Sequence, residues 1–247
     1  MSILSILKNV NKIKPPSCSA VIAAAGTSQR CKWEDKLFYR ILGKPVLAHT
    51  LEVFQNCARI SEIIVVAQQE QLETIGEMCL EYRFSKVSKI ITGGATRPES
   101  VLNGIYAVSR KSQLIAVHDG ARPCIDNDLL ERTISAAARY YAAAPAVAIT
   151  STIKKVEDGL ICDTVDRENL YEIQTPQIFK AQIIKSALAS AVRKKVNITD
   201  DCMAAEMIGA PVRIVEGLRK NIKITDIEDL SIIEAFLSER ERGNKCE

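Results

Sequence analysis

The chain has 247 residues, of which 47% are hydrophobic and 26% charged, and its net charge is +3. This composition is that of a globular protein with one large core, and so small a net charge does not indicate a nucleic-acid partner. Eight scattered cysteines without a CxxC pair, together with two histidines, argue against a zinc cage and suit reduced thiols in a cytoplasmic protein. No apolar run reaches the roughly 20 residues of a membrane span, so no membrane contact is expected.

The first segment, residues 1–17, is predicted to be an extension of the domain that follows. Its sequence, MSILSILKNVNKIKPPS, has Lys8 where the apolar region of a signal peptide would continue. We expect a short amphipathic helix that ends at Pro15 and Pro16 and packs on the domain.

Short apolar runs alternate with helical patterns along the rest of the chain. The predicted strands are Ser19–Ala24, Glu62–Ala67, Lys86–Ile91, Leu114–Val117, Ala146–Ile149 and Val212–Val215. The predicted helices are Val46–Asn56, Glu70–Arg83, Pro98–Ser109, Asp128–Ala142, Lys180–Val192, Asp200–Ile208 and Ile227–Glu239. Apolar strands spaced by helices predict an α/β fold with a doubly wound, mostly parallel, Rossmann-like sheet, forming one domain over residues 18–247.

One segment departs from this alternation. Residues 151–174, STIKKVEDGLICDTVDRENLYEIQ, alternate in polarity around the turn Glu157-Asp158-Gly159, which predicts a β-hairpin. An isolated hairpin is barely stable in water, so this arm must fold back on its own domain or pack against another chain.

Four polar segments follow predicted strands, where ligands bind in open α/β sheets. In the first, small residues at Ala24, Ala25 and Gly26 let an anion approach the backbone amides, and Arg30 and Lys36 add positive charge. The segment matches neither G-x-G-x-x-G nor the P-loop, so a dinucleotide-dependent oxidoreductase is disfavoured.

The second segment, GGATRPES, opens a helix. Its start presents free amides to an anion, Gly94 leaves room for a flat group, and Arg97 and Ser100 lie about one turn apart.

The third segment, VHDGARP, ends a buried strand, and the fourth is NIKIT. Asp119 is a candidate ligand for Mg²⁺ or a substrate hydroxyl, and Arg122 could bind phosphate or pair with Asp119. His118 is interpreted as a packed histidine rather than a base. Lys223 faces away from its inward-pointing isoleucine neighbours.

The four segments together favour phosphate chemistry. They carry several cations but no Ser-His pair and no metal-ligand cluster. A phosphate nucleophile attacking a nucleoside triphosphate needs no general base, because it is already mostly dianionic at neutral pH. Positioning, cations and a divalent ion that bridges the phosphates then suffice.

At these segments the chain resembles the 2-C-methyl-D-erythritol 4-phosphate cytidylyltransferases of the non-mevalonate isoprenoid pathway. The resemblance runs from about Ser19 to Phe236, and the motifs that carry it are AAAGTSQR, GKPVLAHTLEVF, GGATRPESV, VHDGARP, TVDRENLYEIQTPQIF, ITDD and VEGLRKNIKIT. The first loop has Ser28 where the family usually has a second glycine, is one residue shorter than is common, and has Asp35 in place of the usual Pro.

The resemblance implies a fold of the nucleotide-diphospho-sugar transferase type, with Mg²⁺ as cofactor and a homodimer formed through the hairpin arm. It also implies roles for individual residues. The amides of Ala24, Ala25 and Gly26 would bind CTP, and Arg30 and Lys36 would bind its triphosphate. Gly94 and Ser100 would bind the cytosine, Asp119 the ribose or the metal, and Lys223 the α-phosphate. Thr175 and the partner's Arg167 would bind the acceptor phosphate.

Two other functions remain open at this point. A ribitol 5-phosphate cytidylyltransferase shares most of the motifs, although DGARP and NIKIT favour the erythritol enzyme. A nucleotide-binding regulator without turnover is the alternative that the altered first loop suggests. Assays with both acceptors, and pyrophosphate release from CTP, would separate the three.

Overall fold

A computed structural model describes residues 16–26 and 35–244, and the structural statements below concern these residues. The predicted amino-terminal helix, Ser28 and Arg30 lie outside them, so their sequence-based predictions stand as made.

The described chain alternates strands and helices. The strands are β1 (Cys18–Ala23), β2 (Arg40–Ile41), β3 (Lys44–Pro45), β4 (Ile60–Ala67), β5 (Val87–Thr92), β6 (Leu114–Asp119), β7 (Ala142–Ala148), β8 (Ile153–Glu157), β9 (Leu160–Val165), β10 (Tyr171–Ile173), β11 (Gln177–Lys180) and β12 (Arg213–Glu216). The helices are α1 (Val46–Asn56), α2 (Leu72–Glu81), α3 (Arg97–Ala107), α4 (Asn127–Tyr140), α5 (Ala181–Arg193), α6 (Asp201–Glu206) and α7 (Glu228–Asn244), with a 3₁₀ turn at Gln69–Gln71.

The central sheet is mostly parallel. β6, β1, β4 and β5 are parallel neighbours, and β7 and β12 are a second parallel pair. β11 joins the two groups by pairing antiparallel with both β6 and β7, and β10 pairs antiparallel with β7. Ala143 pairs with both β11 and β12, and Ala146 pairs with both β10 and β12. β10 and β11 therefore lie on the same side of β7, as two parts of one interrupted strand.

Helices cover both faces of this sheet, which confirms the doubly wound architecture. Successive residues of β4 point to opposite faces: Val65 belongs to an apolar cluster that includes residues of α1, α2, α4 and α7, whereas Ile64 and Val66 belong to one that includes residues of α3, α5 and α6. Both faces of the central strands are apolar because both are buried, as parallel sheets require.

The hairpin arm is shorter than predicted. β8 and β9 pair around a two-residue turn, Asp158 and Gly159, which both have positive φ, as expected of a type I′ turn. β10 had been assigned to the hairpin, but it pairs with β7 of the main sheet. The free arm therefore spans residues 153–165.

Two further predictions are corrected. The helix predicted to reach Ala142 ends at Tyr140, because Tyr141 has φ 76° and leaves the helical region. The strand predicted from Ala146 begins at Ala142, where three alanines had no distinctive pattern. The strand β11 was not predicted at all.

Candidate functional site

The ends of β1, β5 and β6 bring three of the four predicted segments together. Ala23 is the register partner of Asp119, and the amide of Gly120 donates to Ala23 O at 2.9 Å. A Cβ on Gly93 would lie 2.7 Å from Cβ of Ala25, so the first and second segments are in direct contact. The carboxyl edge of the sheet thus carries the site, as the fold class implied.

Asp119 is the centre of a cluster of charges. Its carboxylate lies 2.9 Å from Lys223 Nζ, 3.5 Å from Arg122 Nε and 3.6 Å from Arg97 Nη2. Burial opposes ionisation of Asp119, but Lys223 and Arg97 hold its pKa well below the usual range. Three cations therefore share one carboxylate, and the cluster keeps an excess of positive charge.

A second carboxylate anchors Arg97 from the other side. Asp201 is fully buried at the start of α6, and its two oxygens accept from Nη1 and Nη2 of Arg97 at 3.3 and 2.9 Å. Burial raises the pKa of Asp201, and Arg97 counteracts that rise. Sequence reasoning missed Asp201, although it lies in the quoted motif ITDD. It resembled an ordinary solvated residue in the first turn of a helix.

The loop before α3 is closed by its own hydrogen bonds. Ser100 Oγ accepts from the amide of Gly94 and donates to Thr96 O, both at 2.9 Å. A Cβ on Gly94 would lie 2.5 Å from Cβ of Glu99. The two glycines thus let this loop fold tightly around Ser100, whereas the sequence had suggested room for a ligand's flat group.

The fourth segment brings Lys36 next to the loop that contains Lys223. Lys36 Nζ donates to Ile224 O at 2.9 Å, and the amide of Ile224 donates to Ala121 O at 3.0 Å. Asp35 braces this region, because its side chain accepts from the amide of Leu37 at 3.1 Å and from Gln71. Lys36 is therefore held next to the loop that carries Lys223.

Arg122 and Thr175 are buried members of the same region. Arg122 Nη1 donates to Asn221 O at 2.8 Å, and Asn221 Nδ2 donates to Thr175 O at 2.9 Å. Thr175 Oγ1 lies 2.9 Å from Nδ1 of His118, which is fully buried. Desolvation lowers the pKa of His118 to about 4, in agreement with the packed histidine that the sequence favoured.

Two predicted site residues make contacts that the sequence did not predict. The amide of Ala24 donates to Val66 O at 2.7 Å within the sheet, so it is not the free donor that the resemblance implied. Of the three predicted amide donors, Ala25 and Gly26 remain. Arg167 is exposed at the base of the arm and donates to Thr150 O, which also lies at that base.

The described residues contain no group of three or more His, Cys, Asp or Glu side chains arranged to hold a metal. Asp119 is the carboxylate best placed to contribute one ligand, but its oxygens already face three cations. In the same ranges, no helix is long and apolar enough to cross a bilayer.

Comparisons with known proteins identify the family of this chain. The family model for 2-C-methyl-D-erythritol 4-phosphate cytidylyltransferase matches residues 18–239. An enzyme of that name from Caldanaerobacter subterraneus is 44% identical over 222 residues, covering 89% of this chain and 98% of the relative. One from Halalkalibacterium halodurans is 40% identical over 225 residues, covering 91% and 98%.

Solved structures give the same result. The 2-C-methyl-D-erythritol 4-phosphate cytidylyltransferase from Thermus thermophilus superposes with a TM-score of 0.75 at 32% identity, covering 89% of this chain and 98% of that one. The 4-diphosphocytidyl-2C-methyl-D-erythritol synthase from Anaerococcus prevotii gives a TM-score of 0.79 at 29% identity, covering 91% and 97%. The chain therefore belongs to the 2-C-methyl-D-erythritol 4-phosphate cytidylyltransferase family.

Proposed function

We propose that this protein transfers CMP from CTP to 2-C-methyl-D-erythritol 4-phosphate and releases pyrophosphate. Together with family membership, the observation that carries the proposal is the excess of positive charge around Asp119, next to the small residues that end β1. Such a site suits a reaction in which two highly charged phosphate groups must approach each other.

The reaction needs cations and alignment rather than a base. An oxygen of the acceptor phosphate forms a bond to the α-phosphorus of CTP, while the bond from that phosphorus to the bridging oxygen breaks. The electron pair leaves with pyrophosphate. His118 is buried and neutral, and the acceptor phosphate is already mostly dianionic, so no proton has to be removed.

The residue roles combine the resemblance with the positions of the described residues. Lys223, Lys36 and Arg30 would neutralise the charge that develops at the α-phosphate and on pyrophosphate. Ala25 and Gly26 would offer amides to the triphosphate, and Gly94 and Ser100 would lie near the base, as the resemblance implies. Arg97 and Arg122 keep the site positive while they orient Asp119.

We infer Mg²⁺ as the cofactor, which the nucleotide phosphates would chiefly hold, with Asp119 as the candidate protein ligand. When bound, it supplies charge neutralisation and alignment of the phosphates. The described cysteines are unpaired thiols, which supports a cytoplasmic location.

The acceptor can be tested directly by pyrophosphate release with CTP. We expect turnover with 2-C-methyl-D-erythritol 4-phosphate, little with ribitol 5-phosphate, and none after removal of the divalent ion. Faster turnover with ribitol 5-phosphate would assign the chain to the related sugar enzyme. Binding of CTP without pyrophosphate release, with either acceptor, would indicate a regulator.

We further infer that the arm packs against a second copy of this chain. Three apolar side chains of the hairpin are 57–73% exposed, namely Val156, Leu160 and Ile161. Within the described ranges, β8 and β9 pair only with each other. A two-stranded sheet with exposed apolar side chains needs a partner surface for stability, and a twofold dimer would supply it.

In such a dimer Arg167 would act in the partner's site, and this can be tested by complementation. Arg167→Ala and Lys36→Ala should each be nearly inactive. After subunit exchange, about half the dimers are mixed, and each mixed dimer has one intact site, so activity should recover to about a quarter of wild type. If Arg167 acts within its own chain, exchange confirmed by mass-tagged subunits will restore nothing.

A further inference from the structure

Asp201 is a fully buried carboxylate whose two oxygens both accept from Arg97, at 3.3 and 2.9 Å. A protonated carboxyl would keep one oxygen as a donor, so this two-point contact is that of an ionised pair. The two residues are 104 positions apart and are the first residues of α6 and α3. A buried ion pair contributes little net stability, because both charges lose their hydration. The pair therefore fits a positioning role better than a stabilising one.

The carboxylate of Asp201 does not cap its own helix. Asp200 is the N-cap of α6, and its side chain accepts from an amide of the first turn at 2.9 Å. Gln177 Oε1 accepts from the amide of Asp201 and from the next amide, both at 3.0 Å, and Gln177 Nε2 donates to Asp200 at 2.8 Å. A side chain of β11 thus fixes the start of α6, and the carboxylate of Asp201 is left to bind Arg97.

Arg97 lies between two carboxylates, and the buried one holds it. Its Nη2 is 2.9 Å from Asp201 but 3.6 Å from Asp119, which is too long for a hydrogen bond. The short contact of Asp119 is instead with Lys223, at 2.9 Å. Without the carboxylate of Asp201, Arg97 would move onto Asp119 and compete with Lys223 for it.

The same arrangement leaves part of the guanidinium for a ligand. A guanidinium has five N–H donors, and two of those of Arg97 go to Asp201. The remaining donors have no hydrogen-bonded acceptor among the described residues, and the side chain of Arg97 is 31% exposed. Arg97 also directly follows the loop that the proposed function places near the base of CTP.

We propose that Asp201 is a positioning residue for CTP binding, which keeps Arg97 off Asp119 and holds the remaining donors of Arg97 toward the nucleotide. The proposal rests on the proposed use of CTP. The two carboxylates thus have separate roles. Asp119 faces the substrates, whereas Asp201 is closed off from solvent and acts through Arg97.

The sign of the effect of Asp201→Asn on CTP affinity tests the proposal. The substitution removes a negative charge beside a site for a polyanion, so charge alone would tighten CTP binding. Loss of positioning weakens binding, whereas a purely structural role leaves it unchanged in the folded variant. We expect the Kd for CTP with Mg²⁺, measured by isothermal titration calorimetry without acceptor, to rise about tenfold.

Glu52→Gln is the matched control, because it also converts a carboxylate of an ion pair into an amide. Glu52 pairs with Lys44 at 2.8 Å, outside the cluster around Asp119. This control should change the Kd for CTP by less than about twofold. Asp201→Glu, which returns a carboxylate to Arg97, should bind CTP within about threefold of wild type.

Arg97→Lys completes a double-mutant cycle. It keeps the charge but loses the two-point contact, so it should also weaken CTP binding. If Asp201 acts through Arg97, adding Asp201→Asn to Arg97→Lys should change the Kd by less than about twofold, whereas additive effects would refute the proposal. If Asp201→Asn does not fold, Arg97→Lys decides alone: weaker CTP binding supports the proposal, and wild-type affinity refutes it.

The outcomes separate this proposal from the proposed function. A wild-type protein that binds no CTP would refute the proposed function and the positioning role together. Wild-type binding of CTP, with tighter or unchanged binding by a folded Asp201→Asn, would overturn the positioning role alone.

Discussion

Acidification should destabilise this protein through His118 before Asp119 is protonated. In the unfolded chain the imidazole titrates near its ordinary pKa of 6.5, whereas burial lowers the pKa to about 4 in the folded protein. Between these two values the unfolded state binds more protons, so stability falls as the pH is lowered. The difference of about 2.5 units corresponds to about 3 kcal/mol, reached when the pH falls to about 4.

The groups around the ring do not reverse this sign. Asp119 would favour the charged ring, whereas Arg122 and Lys223 oppose it, and desolvation is the largest cause. Asp119 itself has a pKa below its ordinary 3.8, so its own contribution is lost only at lower pH. Asp201, whose pKa burial raises, is present in wild type and in any His118 variant alike, so the difference in stability between two such proteins from pH 6.5 to pH 4 reports mainly on the imidazole of His118.

Urea unfolding followed by far-ultraviolet circular dichroism, at fixed protein concentration and several pH values, measures this effect. His118→Asn should be less stable than wild type at pH 7, but its free energy of unfolding should fall less steeply on acidification. The difference between the two proteins should shrink by about 3 kcal/mol between pH 7 and pH 4. His49→Gln retains His118 and should keep the steep component. A difference between wild type and His118→Asn that is constant across this range would refute the reasoning.

The structure also predicts the effects of three further substitutions. Gly93→Ala places a Cβ 2.7 Å from both Ala25 Cβ and Ser100 Oγ, so thermal stability and CTP affinity should both fall. The control Gly76→Ala in α2 meets only Ile90 at 3.9 Å and should raise the free energy of unfolding by about 0.5–1 kcal/mol. Equal thermal shifts of the two variants would contradict the packing argument. Leu160→Asp, at the exposed tip of the arm, should shift the protein toward monomers in sedimentation velocity, and an unchanged mass would remove the arm from the dimer contact.

The sequence predicted the parallel part of the fold well because its signal is local. β1, β4 and β6 are short apolar runs, and a strand buried on both faces needs nothing else to be recognised. β11 was missed because Gln177–Lys180 is short and follows a proline, and its place between β6 and β7 depends on the rest of the sheet. The alanines of β7 suit a helix as well as a strand.

The site was predictable only in part, for a similar reason. The rule that ligands bind at the carboxyl edge located Asp119, Arg97 and Lys223 in segments far apart in sequence. Asp201 and Asn221 were missed because their burial is a tertiary property, and polar residues at helix starts and in loops are usually solvated. The use of the Ala24 amide by β4 is likewise visible only once the strands are paired.

The central claim is that cations gathered around Asp119 stabilise the transition state, and one pair of lysines tests it most directly. Lys223 lies 2.9 Å from Asp119, whereas Lys220, three residues earlier in the same loop, pairs with Asp126 at 3.1 Å and is similarly exposed. Measured with CTP and 2-C-methyl-D-erythritol 4-phosphate, Lys223→Ala should lower kcat by about 10²–10³-fold while remaining folded. Lys220→Ala should stay within about twofold of wild type, since exposed ion pairs contribute little. A folded Lys223→Ala with near wild-type kcat would contradict the account.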